Sequence, residues 1–216
     1  MVSDAVIPNM NKITQLFAVA ALAAGTSCYA ASPWSLRLGA TYLDTANASS
    51  AFTALSTFFP ADSISVESKW MPEFDVGYAF TDTIRAELVL TIPQTHEVKL
   101  AGVGRLGSFK ELPPTLLVQY WPHLDDSFRP YVGAGVNLTL IWDDHLAAGP
   151  IPLQLDNHSI GLAGQVGFEW KLTERWTLNA NVKYMALRSD VYAAGAPLTQ
   201  TRLDPWLFSF GARCAF

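Results

Sequence analysis

Charge is scarce in this chain: Asp, Glu, Lys and Arg make up 15% of its 216 residues, against roughly 25% in an ordinary soluble protein. Cysteine is scarcer still, with Cys28 and Cys214 alone. No segment approaches the roughly 18 consecutive apolar residues that a membrane-spanning helix needs. Yet half of the residues are hydrophobic and 12% are aromatic, and mean hydropathy is +0.19. These values exclude disorder, a coiled coil and a collagen-like rod. A net charge of -5 offers no basic footprint for a nucleic-acid partner. The chain is apolar without helical spans, and its patterning has to explain why.

The one long apolar run, 13–25, would rise only ~20 Å as a helix, too little for a ~30 Å hydrocarbon core. Lys12 precedes it and the small-residue stretch Ser27-Cys28-Tyr29-Ala30 follows. The run therefore reads as a secretory signal, 1–30, cleaved after Ala30. A start at Met10 makes a more ordinary signal, because Asp4 otherwise offsets Lys12. A lipoprotein signal acylated at Cys28 is the rival, disfavoured by Gly25 where that signal prefers Leu. Cleavage leaves Cys214 as the single cysteine, which excludes an intramolecular disulfide.

From residue 31 onward the recurring pattern is alternation with period two, which sends successive side chains to opposite faces of a sheet. Trp206, Phe208, Phe210, Ala212, Cys214 and Phe216 share one face of the last segment; Leu207, Ser209, Gly211, Arg213 and Ala215 share the other. Eight such segments are predicted: 34–43, 70–80, 84–92, 112–121, 129–142, 159–172, 176–187 and 202–216. Their connections alternate between tight turns (81–83, 122–127, 173–175) and long loops (44–69, 93–111, 143–158, 188–201). An even strand number with short turns at one end and four long extracellular loops at the other predicts an all-β, eight-stranded, antiparallel up-and-down transmembrane β-barrel over 31–216.

A water-soluble, lipocalin-like barrel also alternates, with its apolar side inward. Three features favour lipid outside. The polar faces are rich in small residues (Gly133, Gly135, Gly161, Ala163, Gly167, Gly211), as a narrow lumen requires. Trp34, Trp70, Trp142, Trp170, Trp176 and Phe216 lie near strand ends on the apolar face, like two interfacial girdles. Phe216 also ends a run of alternating apolar residues, which resembles the C-terminal signal read by the outer-membrane assembly machinery. The expected location is the outer membrane of a Gram-negative bacterium.

On this parity Arg37, Glu73, Asp75, Arg85, Glu87, Glu169, Lys183 and Arg213 point inward, four of each sign. With both termini periplasmic, Arg37, Arg85, Glu87, Glu169 and Arg213 fall in the periplasmic half and would form a polar plug; the other reading is a satisfied ionic core. Val89, Leu117, Met185 and Leu207 also point inward, so part of the lumen is apolar.

Several stretches resemble the OmpW family of small outer-membrane barrels. They are Leu112-Pro113-Pro114-Thr115, the run from Phe128-Arg129-Pro130-Tyr131 through Gly133-Ala134-Gly135-Val136-Asn137, Gly164-Gln165-Val166-Gly167, Arg202-Leu203-Asp204-Pro205-Trp206 and the terminal Phe216. The resemblance implies a partly hydrophobic lumen that passes small hydrophobic or amphipathic molecules across the outer membrane, with sideways exit into the lipid. It also implies a lumen gate at two positions that fall here on Val89 and Lys183. A lysine there departs from the family's apolar plate. It either binds an anionic head group or pairs with Glu169 or Asp75.

Enzymatic and metal signals are weak. Asp143-Asp144-His145 and Asp156-Asn157-His158 could hold a divalent cation but more often are solvated loop polars. His96, His123, His145 and His158 read as none inward on a strand, and no G-x-S-x-G motif accompanies them. No metal, cofactor or catalytic residue is therefore expected. The loop 44–69 carries Phe52, Leu55, Phe58, Phe59 and Ile64, either as a packed rim or as a partner-binding surface. The expected function is non-covalent transport through a narrow lumen. The alternative is a closed structural or receptor barrel that acts through its loops.

Overall fold

The computed structural model describes residues 32–45, 48–54, 57–125, 127–148, 151–193 and 196–216. The proposed signal segment 1–30 and Leu55 lie outside them. Eight barrel strands follow in chain order: β1 (Trp34–Asp44), β2 (Lys69–Ala79), β3 (Ile84–Thr91), β4 (Thr115–Tyr120), β5 (Phe128–Ala148), β6 (His158–Lys171), β7 (Trp176–Met185) and β8 (Trp206–Ala215). Each pairs antiparallel with its neighbours in the chain, and β1 pairs β8 to close the ring. Closure leaves no unpaired edge, which is what a β structure in lipid demands.

Alternation fixes which face is which. Outward along β6 stand Ile160, Leu162, Val166, Phe168 and Trp170, all exposed, while Ala163, Gln165 and Glu169 are buried inside. Outward aromatics pair near both strand ends: Trp34 with Tyr78 (4.8 Å between ring centres) at the end that holds the termini, Tyr42 with Trp70 (5.4 Å) and Tyr184 with Trp206 (5.1 Å) at the other. From Trp34 to Tyr42 the strand advances ~27 Å, or ~20 Å in height once tilted, close to the apolar band of such barrels.

Proline explains where strands stop short of the periodicity. The expected segment 112–121 is divided, because Pro113 and Pro114 cannot donate to the ladder; Leu112 belongs to the separate strand Gly104–Leu112. Likewise 202–216 is interrupted at Asp204 (φ 29°) and Pro205, so β8 begins at Trp206. In 176–187, β7 ends at Met185 and a new strand starts at Arg188.

The four stretches expected as long loops are not plain loops. Gln94–Leu100 and Gly104–Leu112 form a hairpin whose second strand pairs the far part of β5. Ile151–Leu155, Arg188–Ala193 and Ala196–Arg202 continue the sheet on the other side of β5. The barrel wall thus extends beyond the apolar band at the end away from the termini, here called distal. β5 spans both regions and bends at a bulge between Trp142 and His145, where Asp143 takes φ 56°. Gly107 meets that bulge at φ 142°, and a side chain there would collide with the His145 carbonyl.

Candidate functional site

The inward residues stack in layers. Nearest the termini, Trp121 and Tyr131 lie face to face at 4.1 Å between ring centres, with the Arg85 guanidinium 4.5 Å over the Trp121 ring. Arg85 also stands 3.9 Å from Glu169. Beyond these runs a continuous polar chain. Trp121 Nε1 donates to Gln119 (3.2 Å), Gln119 Nε2 to Gln165 (2.8 Å) and Gln165 Nε2 to Glu87 (3.2 Å). Arg213 donates to Glu87, pairs with Glu169 and reaches Ser35 Oγ at 3.2 Å.

One layer further, Arg37 pairs with both Asp75 and Glu73. The Lys183 ammonium donates to Glu73 Oε1 (2.8 Å), Asn181 Oδ1 (2.8 Å) and Ser209 Oγ (2.9 Å), matching its three hydrogens. The lysine's partner is thus Glu73, rather than Glu169 or Asp75. Eight charges sum to zero, and Lys183, Glu73, Asp75 and Glu87 are fully buried. Isolated charges would be prohibitive here; mutual pairing plus neutral donors makes the filling tolerable.

Above the charges, Val89, Leu117, Ala163, Met185 and Leu207 form an apolar layer. Val89 therefore sits in this layer, while Lys183 belongs to the ionic layer beneath. Next comes Asn137, whose Nδ2 donates to Thr115 Oγ1 (2.8 Å) and approaches the Pro113 and Pro114 carbonyls (3.3 Å each). The two carbonyls also accept from elsewhere, Pro114 from the Leu138 amide at 3.0 Å and Pro113 from Thr115 Oγ1 at 3.2 Å.

The distal extension forms an apolar chamber of about 240 Å³. Phe52, Ile64, Val98, Phe109, Ile141 and Val191 are among its walls, and Ser189 and Thr201 are the polar residues among the described lining. Phe52 stacks on Phe59 at 5.1 Å and both are buried, whereas Phe58 is 67% exposed. The rim residues thus split between chamber wall and outer surface. Gln119 and Trp121 share the parity of Leu117 but were not among the inward residues expected, and the chamber walls on 94–111 and 151–155 lay in stretches read as loops.

His96 corrects one expectation. It lies on the strand Gln94–Leu100, is 1% exposed, stacks on Phe109 and stands 3.1 Å from Glu111. The alternation there is short and polar-flanked, so it escaped the strand pattern. The two Asp/His clusters are engaged locally. Asp143 pairs with Lys110 at 2.7 Å, which holds its carboxyl below the usual range. Asp144 accepts from the Leu155 amide and Asp156 from the Asp190 amide. Among the described residues no three His, Cys, Asp or Glu side chains converge on one point.

Comparison with known proteins gives the family. The model of the OmpW family matches residues 36–216. Outer membrane protein W of Vibrio cholerae is 38% identical over 159 residues, 67% of this chain and 73% of the relative. A Pseudomonas aeruginosa relative named dibenzothiophene metabolism operon protein PahQ is 28% identical over 190 residues, 82% of this chain and 86% of its own. The crystal structure of the outer membrane protein OprG from Pseudomonas aeruginosa superposes with a TM-score of 0.73 at 30% identity, covering 86% of this chain and 97% of that one.

Proposed function

Because the chain belongs to the OmpW family and is an outer-membrane β-barrel of the Gram-negative type, we propose that it takes small hydrophobic or amphipathic molecules into the distal chamber without covalent chemistry. The observation that carries this reading is the chamber itself: an apolar space of about 240 Å³ in the distal extension, separated by the Val89 and Asn137 layers from a lumen filled by paired charges. With the termini and short turns in the periplasm, the chamber faces the medium, where an apolar solute gains by leaving water.

The same filling argues against a straight axial path. An eight-stranded barrel has an interior just wide enough for its own side chains. A solute moving down the axis would have to part Lys183 from Glu73 and Arg37 from Asp75. On this reading Val89 is the chamber-side floor, and Arg37, Glu73, Asp75, Arg85, Glu87, Glu169, Lys183 and Arg213 are a plug. The exit lies sideways. Outside the chamber wall, Val136, Ile160, Gly161, Leu162, Ala186 and Arg188 line a notch on the outer surface. Leu187, between Ala186 and Arg188, packs into the chamber cluster, so the wall there is one residue thick. The PahQ relative's name is consistent with apolar cargo.

The test is entry of a slowly permeant amphiphile into proteoliposomes, with empty liposomes and the chamber-filling Val98→Trp barrel as controls. Native barrels should speed entry, and Val98→Trp should abolish the gain while still assembling. Equal rates in all three would overturn the proposal and favour a closed barrel that acts through its distal surface.

A further inference from the structure

Ser189 and Thr201 occupy facing register positions on the strands Arg188–Ala193 and Ala196–Arg202. Both line the apolar chamber, at 4% and 6% exposure, with their oxygens turned into the wall, so a change of χ1 rotamer is what brings each hydroxyl to face the chamber. Neither the Ser189 Oγ nor the Thr201 Oγ1 has a hydrogen-bond partner among the described residues. Ser159 donates to the Arg188 carbonyl at 2.6 Å and Thr139 to Asn137 Oδ1 at 2.7 Å, whereas Thr91 shares the unpaired state but lies outside the chamber lining. Two adjacent unpaired hydroxyls in a greasy wall are costly unless something in the chamber uses them.

We infer that this pair recognises the single oxygen of an uncharged aliphatic molecule: a ketone, aldehyde, ester or alcohol. The inference rests on the chamber being a binding site, as proposed above. A carbonyl oxygen has two lone pairs and so accepts from both hydroxyls at once, while an alkane would leave both unmet. Charge is disfavoured, because the described lining offers no cation or anion to pair with a carboxylate or an ammonium. The volume sets the size. At ~30 Å³ per heavy atom of a condensed liquid, the chamber holds about eight such atoms.

The test compares 2-octanone, n-nonane and octanoate, three chains of similar length. Each is titrated into the refolded barrel in lipid nanodiscs, with free concentration corrected for partition into empty nanodiscs. Methyl NMR shifts of Val98 and Val191 report chamber occupancy. The ketone should bind about tenfold more tightly than nonane, and octanoate more weakly than both. In the Ser189→Ala/Thr201→Val double variant the ketone's advantage should vanish while nonane binding stays within about twofold. Equal binding of ketone and nonane by the native barrel would overturn the inference and leave the chamber reading standing. So would tightest binding of octanoate, or a ketone preference that survives the double substitution. If no compound moves the methyl signals, the chamber reading falls as well. The native comparison needs no variant, so poor folding of the double substitution does not rescue the idea.

Discussion

Lys183 and Glu73, 110 residues apart in sequence, meet at 2.8 Å inside the barrel with neither side chain exposed. Removing one partner of such a pair leaves a buried charge short of compensation, at a cost of about 3–5 kcal/mol. Lys183→Met is expected to lower unfolding stability in lipid vesicles by that order. Glu73→Gln should cost a similar amount, and the double substitution less than the sum of the two. Strict additivity in this cycle would show that the two groups do not couple.

Trp121→Ala removes the ring stacked on Tyr131 and capped by Arg85. Stability should drop by about 3–5 kcal/mol, the usual range for emptying a large buried aromatic site. Ion conductance across planar bilayers should nonetheless stay at the lipid baseline, because the Arg213–Glu87 and Arg37–Asp75 layer beyond it still fills the lumen. A rise in conductance would mean that Trp121 is the seal.

Gly161 and Gly164 make opposite predictions three residues apart. A methyl group on Gly161 would run into the Ala186 carbonyl, whereas one on Gly164 meets nothing within 4 Å. Gly161→Ala should cost about 1–3 kcal/mol by forcing β6 away from the chain that follows β7. Gly164→Ala should stay within about 0.5 kcal/mol of the native barrel. Urea unfolding curves of the two variants decide the matter.

Asn137→Leu keeps the volume but removes the donor to Thr115 Oγ1 and the acceptor of the Thr139 hydroxyl. A buried hydroxyl left without its partner costs about 1–3 kcal/mol. The loss should be local, with faster amide exchange around residues 112–116 and little change at the Lys183 layer. Uniform exchange changes throughout the barrel would contradict that picture.

Period-two alternation determined the strand number, the antiparallel order, the outward and inward faces and the identity of the inward charges, because side-chain parity along a strand is a local property. Parity also placed Val89 and Leu117 inside. It carried no information on which inward residues meet: Lys183 pairs with Glu73 because register across β1, β2, β7 and β8 sets them level. The chamber was equally illegible. Its walls come largely from 48–66, 94–111, 151–155 and 188–201, whose short, polar-flanked runs read as loops, with Ile141 and Leu203 added from predicted strands. They become strands because β5 runs on beyond the apolar band, where Gly104–Leu112 and Ile151–Leu155 pair with its two edges and offer further edges to their neighbours. Local pattern chose the barrel; register and edge pairing, which join residues far apart in the chain, decided the plug and the cavity.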